Sequence, residues 1–573
     1  MNNQITIQKD GVVFTPKNLA NFIAEKTLRY VSKEKFQMKK NMITVVDPAC
    51  GNGQLLESFI EISDKKYKNK IGIYGLDINK NSILYCKKKF LQYNKKFKFV
   101  NTNALSPFNQ KIFHDGWLKL QENLGNIGKF DIMIANPPWG SNMSTYKEEI
   151  DKNEFETLEN HNDSFEIFLE LALKIVKPGG YFSFIIPDSI LNHGENIIRK
   201  KLISSTEIKY IGRLGEKIFP DINRACVIII VKNSAPAENS QIDCFRLLSK
   251  ERRNVLSGKK AFEDVEKGKI HAVLQKRFLK NSYQQIDIDL RQNEQPILKK
   301  LYSSNEKISD YLVSTRGVEL GISGEVCLCQ KCQSWIPLPV KQSVICEHCK
   351  NKIIIKKSKV ETIIIDKEDE KKNSKPLITG KDLKRYKSKP THNIILNKKG
   401  INYKPKDTYL PPKILIRKTG IGITATIDYS SSYVTQVVYV FKTKPGIDID
   451  LEFFIALLNS RIYYFILAKS YGELEWRSHP YLTQSQIGDI PIPILKNNKK
   501  IINEIISLMK SYKEKGALTN EVDLKIELLI GKLFKLTKND FKVIMNLINE
   551  SDELLPVKHL KNINLEDILK RFR

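Results

Sequence analysis

Residues 131 to 140 read DIMIANPPWG. An apolar run ends here in an amide, two prolines and a tryptophan, and consecutive prolines cannot continue a central strand. A buried strand is therefore expected to stop, presenting Asn136, the stiffened backbone of Pro137 and Pro138, and the Trp139 ring together. Open α/β sheets keep their ligands at such carboxyl edges, so this end offers acceptors of fixed direction beside a stacking face.

A second constellation lies upstream. TVVDPACGNGQLLESF runs strand, glycine loop, helix. Gly51 and Gly53 let backbone approach a nucleotide-like ligand with no Cβ in the way, although a plain strand-to-helix turn would use the same residues. Leu56 stands where the dinucleotide fingerprint has a third small residue, so that fingerprint is not matched. The following strand ends in YGLDINKNS and places Asp77 about 20 residues beyond the loop, where a carboxylate accepts from ribose hydroxyls or caps a helix. Ile78 would then face an adenine. A third strand delivers NTNALSPF, with Asn103 at that adenine's edge and Ala104 beside it. Ribose- and adenine-type groups at three consecutive strand ends point to one nucleoside-bearing cofactor.

The third constellation is CLCQKCQSWIPLPVKQSVICEHC. Its two Cys-x-x-Cys knuckles, Cys329 with Cys332 and Cys346 with Cys349, have the ribbon spacing of a tetrahedral zinc site, closed and hence structural. Cys327 and His348 are alternatives for the fourth ligand, and reduced bystander cysteines are the plainer reading. The odd total of nine cysteines argues against a disulfide framework.

The elements that position these groups follow from periodicity. MITVVDP, IGIYGLD, FKFVN, FDIMIANPP, GGYFSFIIP and ACVIIIVK read as buried strands, with NSILYCKKKFLQY and SFEIFLELALKIVKPGG as helices between them. That alternation predicts an α/β fold, a Rossmann-like doubly wound sheet over residues 1–244. Residues 245–300 read as a charged, helical connection. Residues 301–497 read as a mixed α+β domain with the zinc ribbon inserted at about 326–352, and 498–573 as a helical segment. In that last segment Ile501, Ile502, Ile505, Ile506, Leu508, Met509 and Tyr512 share one helix face.

A hydrophobic content of 41% over 573 residues suits a folded globular chain, and a formal charge of +30 predicts attraction to a polyanion, nucleic acid first. An AT-biased, lysine-rich composition would raise the same charge without that meaning. The N-terminus lacks the plan of a signal or transit peptide and no apolar run reaches bilayer length, so a cytoplasmic protein with no membrane partner is expected.

Taken in order, FTPKNLANFI, VVDPACGNG, GLDIN and ANPPWG resemble the gamma class of S-adenosylmethionine-dependent N6-adenine DNA methyltransferases, of the TaqI type. The resemblance is clear over the first 240 residues and looser beyond. It implies S-adenosylmethionine as cofactor, with Phe14, Thr15, Asp47 and Ala49 holding its methionine part. It also implies that Asn136 and the Pro137 carbonyl accept the two amino protons of a flipped adenine stacked on Trp139, so that the nitrogen lone pair is free to attack. Phe219, in GEKIFPDINRACVIII, would form the second wall, though a phenylalanine before a strand is also ordinary core. The family often has Asp where Asn103 sits, and commonly Tyr or Phe in place of Trp139. Direct in-line transfer needs no metal, and no Ser/His/Asp or Cys/His nucleophile set is found.

After the ribbon, KPLITGKDLKRY, PPKILIRKTGIGITATIDYSSSYVTQVVYVFK and LEFFIALLNSRIYYFILAKSYG resemble the TaqI-like C-terminal specificity domain. Lys381, Lys384, Arg385, Lys413, Arg417, Lys418 and Arg477 are its candidate phosphate clamps and base readers, Arg417 and Arg477 foremost, while any one lysine is more readily a solvated side chain than a contact. LLNSRIYYF reads as a core-facing helix. The expected substrate is double-stranded DNA, bound by a monomer. No nuclease region precedes the cofactor motifs, so a restriction or defence activity would come from a separate protein. The rivals are an RNA or protein-glutamine methyltransferase, which would leave the second domain without a role, and a non-catalytic specificity subunit, against which the complete Asn136–Pro137–Pro138 set speaks.

Overall fold

Runs of β-branched residues become the central strands because helices cover them on both faces. The computed structural model describes residues 15–33, 42–67, 71–140, 143–159, 163–192, 194–219, 222–281, 284–321, 324–339, 341–472, 482–515, 518–551 and 557–571. The chain divides into two compact units, Met1–Gln292 and Asn293–Arg573.

The first unit holds a nine-stranded sheet of β1 (Ile43–Asp47), β2 (Ile71–Asp77), β3 (Lys96–Asn101), β4 (Phe130–Ala135), β5 (Val176–Pro187), β6 (Glu207–Gly215), β7 (Cys226–Lys232), β8 (Gln241–Arg246) and β9 (His271–Leu274). Their spatial order is β3-β2-β1-β4-β5-β7-β6-β8-β9, and the pairs β1–β2, β1–β4, β2–β3 and β4–β5 are parallel. β7 runs antiparallel between β5 and β6. Every residue of β1 and β4 is buried. One face is covered by α1 (Lys17–Lys33), α2 (Gln54–Ile62) and α3 (Lys80–Phe90). The other carries α4 (Phe113–Leu124), α5 (Ser164–Ile175) and α6 (Ile197–Ser205). This is the doubly wound α/β arrangement, with the order reversing between β1 and β4.

All six expected strands are present. β6, β8 and β9 were not legible. β6 opens with Glu207 and Lys209, whose carboxylate and ammonium pair at 2.8 Å, so no continuous apolar run marks it. The stretch read as a helical connection contains short helices, yet His271–Leu274 pairs antiparallel with β8, and the chain stays within the first unit through Gln292. The VKPGG that follows α5 is the start of β5 rather than the helix's tail.

In the second unit the strands Leu312–Arg316, Val438–Thr443, Lys413–Arg417 and Ala425–Asp428 form an antiparallel sheet in that order. Helices Leu451–Leu458 and Arg461–Tyr471, bent by 58° between them, are buried against it. Asn459, at the bend, accepts from the Ala425 amide at 3.1 Å and donates to its carbonyl at 3.0 Å, so the break in the helix is spent on fixing the sheet. Helix Lys499–Lys515 inserts Ile502, Ile505 and Met509 into the same core, with Ile501, Ile506, Leu508 and Tyr512 packed at its edge. Among the described residues no single helix is long and apolar enough to cross a membrane.

A buried ion network ties this helical layer together. Arg461, with no exposed side-chain surface, donates to Glu527 at 2.9 Å, Asp523 at 3.1 Å and the Leu560 carbonyl at 2.8 Å. Arg385 donates to both oxygens of Asp523, at 2.9 and 2.7 Å. Burial would raise the Asp523 carboxyl, but the Arg385 and Arg461 guanidiniums outweigh it and hold the group well below the usual carboxylate range. This corrects one expectation: Arg385 is committed to an interior carboxylate and not offered to DNA. Lys413 is likewise enclosed, donating to the Tyr409 and Ser430 carbonyls and paired with Asp428 at 2.7 Å. Removing one partner of a buried pair leaves the other charge uncompensated, so Arg461→Met is expected to destabilise this unit by about 3–5 kcal/mol in urea denaturation followed by circular dichroism.

Candidate functional site

Parallel register brings the carboxyl ends of β1 to β4 to one edge, beside the reversal of strand order. Asp47 ends β1 and Asp77 ends β2, while Asn103 follows β3 and Asn136 follows β4 directly. Gly51 and Gly53 both have positive φ, 50° and 74°. A Cβ on Gly53 would sit 2.8 Å from the Phe90 ring and 3.0 Å from Cys86 Sγ, so the loop lies flat on α3 only because a side chain is absent.

Side-chain acceptors hold these loops. Asp77 accepts from the Gly51 amide at 2.8 Å and from the Asn79 amide at 2.7 Å. Asp47, 2% exposed, accepts from the Ala49 amide at 3.0 Å. Burial pushes its carboxyl up to about 8, against the lowering effect of that amide, and the Asp77 charge adds to the rise. Asn101 donates to the carbonyls of Asp77 and Ile78 at 2.9 and 3.0 Å, and the Ile78 side chain stands 74% exposed. Asn103 accepts from the Leu105 amide at 3.0 Å and donates to Glu149 at 3.0 Å, so its amide already has partners on both sides; Ala104 is buried behind it.

Thr15 links the N-terminal segment to the end of β4. It is 8% exposed, and its Oγ1 accepts from Asn136 Nδ2 at 3.1 Å, which sets the orientation of that amide. Phe14 lies outside the described residues. The turn after Asn136 is clamped from behind by three residues that sequence reasoning passed over. Ser164 Oγ donates to the Pro138 carbonyl at 2.7 Å, the Gly140 amide donates to Asp163 at 2.7 Å, and Asp163 pairs with Arg224 at 2.5 Å. Asp163 precedes α5, and a helix-capping Asp-Ser ahead of an apolar run was the visible signal. Pro137 is buried.

Trp139 and Phe219 do meet, as the two expected walls, but edge to face: their centroids are 5.3 Å apart at 84°. Phe219 is 1% exposed. Two rings sandwiching a third need to be parallel and about 7 Å apart, twice the ordinary contact distance. The pair as it stands is closed. Trp139 Nε1 is buried and has no hydrogen-bond partner among the described residues.

In the second unit the sulfurs of Cys329, Cys332, Cys346 and Cys349 all lie within 4.8 Å of one another, with Cys329 and Cys349 at 3.6 Å and Cys332 and Cys346 at 3.7 Å. Metal–sulfur bonds of about 2.3 Å in a tetrahedron give edges of about 3.8 Å, so the four thiols fit one metal ion. The alternatives fall away. Cys327 is buried in strand Glu325–Leu328 outside this group, and His348 Nε2 is 3.2 Å from the Gly400 carbonyl.

Residues 1–302 match the family model described as N-6 DNA Methylase, and residues 375–492 match the TaqI-like C-terminal specificity domain. The chain belongs to the N-6 DNA methylase family. It is 26% identical over 227 residues to the modification methylase CviBIII of Paramecium bursaria Chlorella virus NC1A, covering 39% of this chain and 50% of that protein. It is 24% identical over 234 residues to the type II methyltransferase M.VspI of a Vibrio species, covering 41% of this chain and 51% of that one. A putative type II restriction enzyme and methyltransferase of Methanocaldococcus jannaschii, RM.MjaORFECS2P, aligns with 91% of this chain at 25% identity, over 41% of its own length. The chain spans about half the length of the curated relatives it matches.

Within the part of this N-6 DNA methylase that resembles the specificity domain, the expected DNA-facing side chains divide. Lys381 and Lys384 are exposed, and Arg417 and Lys418 are half-buried. Arg417 Nε donates to Thr419 Oγ1 at 3.1 Å, and its stem lies beside Gly380, next to Lys381. Arg477 lies outside the described residues.

The buried Asp47 gives a pH test. Its carboxyl is raised on folding, so its contribution to stability is present below the unfolded carboxylate range and is lost as pH climbs through about 8. In differential scanning fluorimetry without cofactor, the melting temperature of the wild type is expected to fall between pH 5 and pH 9 relative to Asp47→Asn, whose neutral amide has no such dependence.

Proposed function

We propose that the chain is a site-specific DNA adenine-N6 methyltransferase that uses S-adenosylmethionine, serving as the modification activity of a restriction–modification or phage-defence system. The observation that carries this reading is the end of β4, where Asn136 and Pro137 follow Ala135 directly, one strand away from the glycine loop of β1. A methyl donor and a planar amine bound at adjacent strand ends can be brought into line.

The residues present fit the cofactor. The glycine loop, seated on α3 by the missing side chain of Gly53, leaves its backbone open at this edge, Asp77 is the residue proposed for the ribose hydroxyls, and the exposed Ile78 is proposed to offer a face to an adenine. Asp47, buried at the end of β1 four residues before Gly51, is proposed to face the cationic methionine end. Bound S-adenosylmethionine supplies an electrophilic methyl group on a sulfonium.

The chain's own residues act on the amine. Asn136, its amide oriented by Thr15, accepts one proton of the adenine amino group through Oδ1, and the Pro137 carbonyl accepts the other. Two acceptors in fixed directions favour a pyramidal nitrogen with its lone pair directed at the methyl group. Trp139 supplies a stacking face. Phe219, now edge-on to it, becomes the opposite wall only after the two rings separate. The target adenine reaches this edge by leaving the duplex. Lys381, Arg417 and Lys418 are the contacts proposed for the DNA backbone or base edges, and Cys329, Cys332, Cys346 and Cys349 are proposed to hold a structural zinc ion.

Tritiated S-adenosylmethionine incubated with unmodified genomic DNA is expected to label adenine N6 within one short motif. Asn136→Ala should lower that transfer by roughly 10²–10³-fold or more while cofactor binding, read by calorimetry, stays near wild type. Label on RNA or protein instead of DNA would sink the assignment. For the metal, elemental analysis should find about one zinc per chain in the wild type and none in Cys346→Ser, with a lower melting temperature in that variant.

A further inference from the structure

The cysteine ribbon lies between the two family matches, which end at 302 and begin again at 375. It has a small core of its own: Ile336 and Ile353 with Cys327, Cys329 and Cys346. It is moored to the rest of its unit. The Trp335 amide donates to the Lys399 carbonyl at 2.7 Å, and Gly400, with φ of 96°, packs so closely that a Cβ there would sit 2.6 Å from the Trp335 carbonyl. The ribbon is thus held in a fixed place within its unit.

Its surface is one-sided in charge. From Cys327 to Ser358 there are six lysines, Lys331, Lys341, Lys350, Lys352, Lys356 and Lys357, against one acidic residue, Glu347. All six are exposed, and none is ion-paired with a described residue. Neighbouring lysines just outside the ribbon do find carboxylates: Lys359 and Lys398 share Glu361, and Lys404 pairs with Glu319 at 2.7 Å. The ribbon's cations are left to repel one another, a cost that a polyanion would remove.

The hairpin Ser343–Ile345 with Lys352–Ile354 places one of these lysines, Lys352, on a definite face, with Lys341, Lys350 and Lys356 close by in the chain. Its register opposes Ser343 to Ile354 and Ile345 to Lys352, so those four side chains share one side, while Val344 and Ile353 turn to the ribbon core. Ile345 and Ile354 are 62% and 47% exposed. Lysines flanking isolated apolar side chains suit a nucleic-acid backbone, cations to phosphate and isoleucine to sugar or thymine methyl.

We propose that the ribbon hairpin is a second, sequence-independent DNA contact that holds backbone phosphates of the substrate duplex. This rests on the reading of the chain as a DNA methyltransferase. The metal's part would be to hold the lysines in place before DNA arrives, since six like charges on so small a core would otherwise spread apart.

The test uses the full-length, zinc-loaded protein and a fluorescein-labelled duplex of arbitrary sequence, roughly 40 base pairs long, titrated over a range of salt. One variant carries Lys341→Gln, Lys350→Gln, Lys352→Gln, Lys356→Gln and Lys357→Gln. A charge-matched control carries Lys496→Gln, Lys535→Gln, Lys538→Gln, Lys542→Gln and Lys558→Gln, all exposed positions of the same unit. Metal content and melting temperature report whether each variant folds. The ribbon variant is expected to bind at least about tenfold more weakly at moderate salt, with a salt slope shallower by about 2–4, and the control to stay near wild type. Equal losses in both variants, or no loss in either, would overturn the proposal while leaving the methyltransferase reading intact. An unchanged slope combined with loss of self-association in Ile345→Ser, Ile354→Ser would make the hairpin a protein-docking face instead. Failure of the wild type to bind any duplex would strike the methyltransferase reading itself, and this one with it.

Discussion

Asp77 accepts amide protons from Gly51 and from Asn79, and by doing so joins the loop after β1 to the loop after β2. The neighbouring strand ends use the same device over a shorter reach: Asp47 accepts from Ala49, and Asn103 from Leu105, each two residues on. Loops built this way hold their shape from within, and the buried acceptor of Asp47 would be left unsatisfied if its loop opened. Preorganisation of this kind leaves little ordering cost for a ligand to meet. It also brings two carboxyl groups close together under burial. Asp47 and Asp77 both titrate above the ordinary carboxylate range, chiefly through burial, and the charge of Asp77 adds to the rise at Asp47. A cation bound there would relieve what burial and mutual repulsion cost, so the cofactor edge favours a positively charged ligand before any specific contact is considered.

How much of this was legible in the sequence depended on whether the partner was near in the chain. The strand ends at Asp47, Asp77 and Asn136 were readable because β1, β2 and β4 are buried on both faces and mostly apolar, β1 and β4 being cut off by proline and β2 by the polar Asp77 and Asn79. The cysteine knuckles were readable because two ligands of each pair are three residues apart, and the structure then chose the four sulfurs over Cys327 and His348. Arg385 was misjudged for the opposite reason. Its carboxylate, Asp523, lies 138 residues further on, and a sequence shows an arginine's charge but not what neutralises it. Asp163 and Arg224 were passed over likewise: each looks like an ordinary loop residue until the fold sets both against the turn after Pro138.

That turn is where the rigid and the movable parts of the site meet. Asp163 receives the Gly140 amide with one oxygen and Arg224 with the other, so a single carboxylate spans from the turn bearing Trp139 to the segment that follows Phe219 and leads into β7. The ring walls are closed edge to face, with a buried indole N–H that has no partner among the described residues, a cost of about 1–3 kcal/mol. The acceptor pair below them is fixed by Thr15 and by two prolines, and has no such slack. Separating the two rings would open the unpartnered indole N–H to water, and the Asp163–Arg224 link beside that turn is partly exposed and therefore cheap to rearrange. The end of β4 therefore combines an amide held by Thr15 and two rigid prolines with a ring pair whose adjoining turn is tied by a partly exposed ion pair.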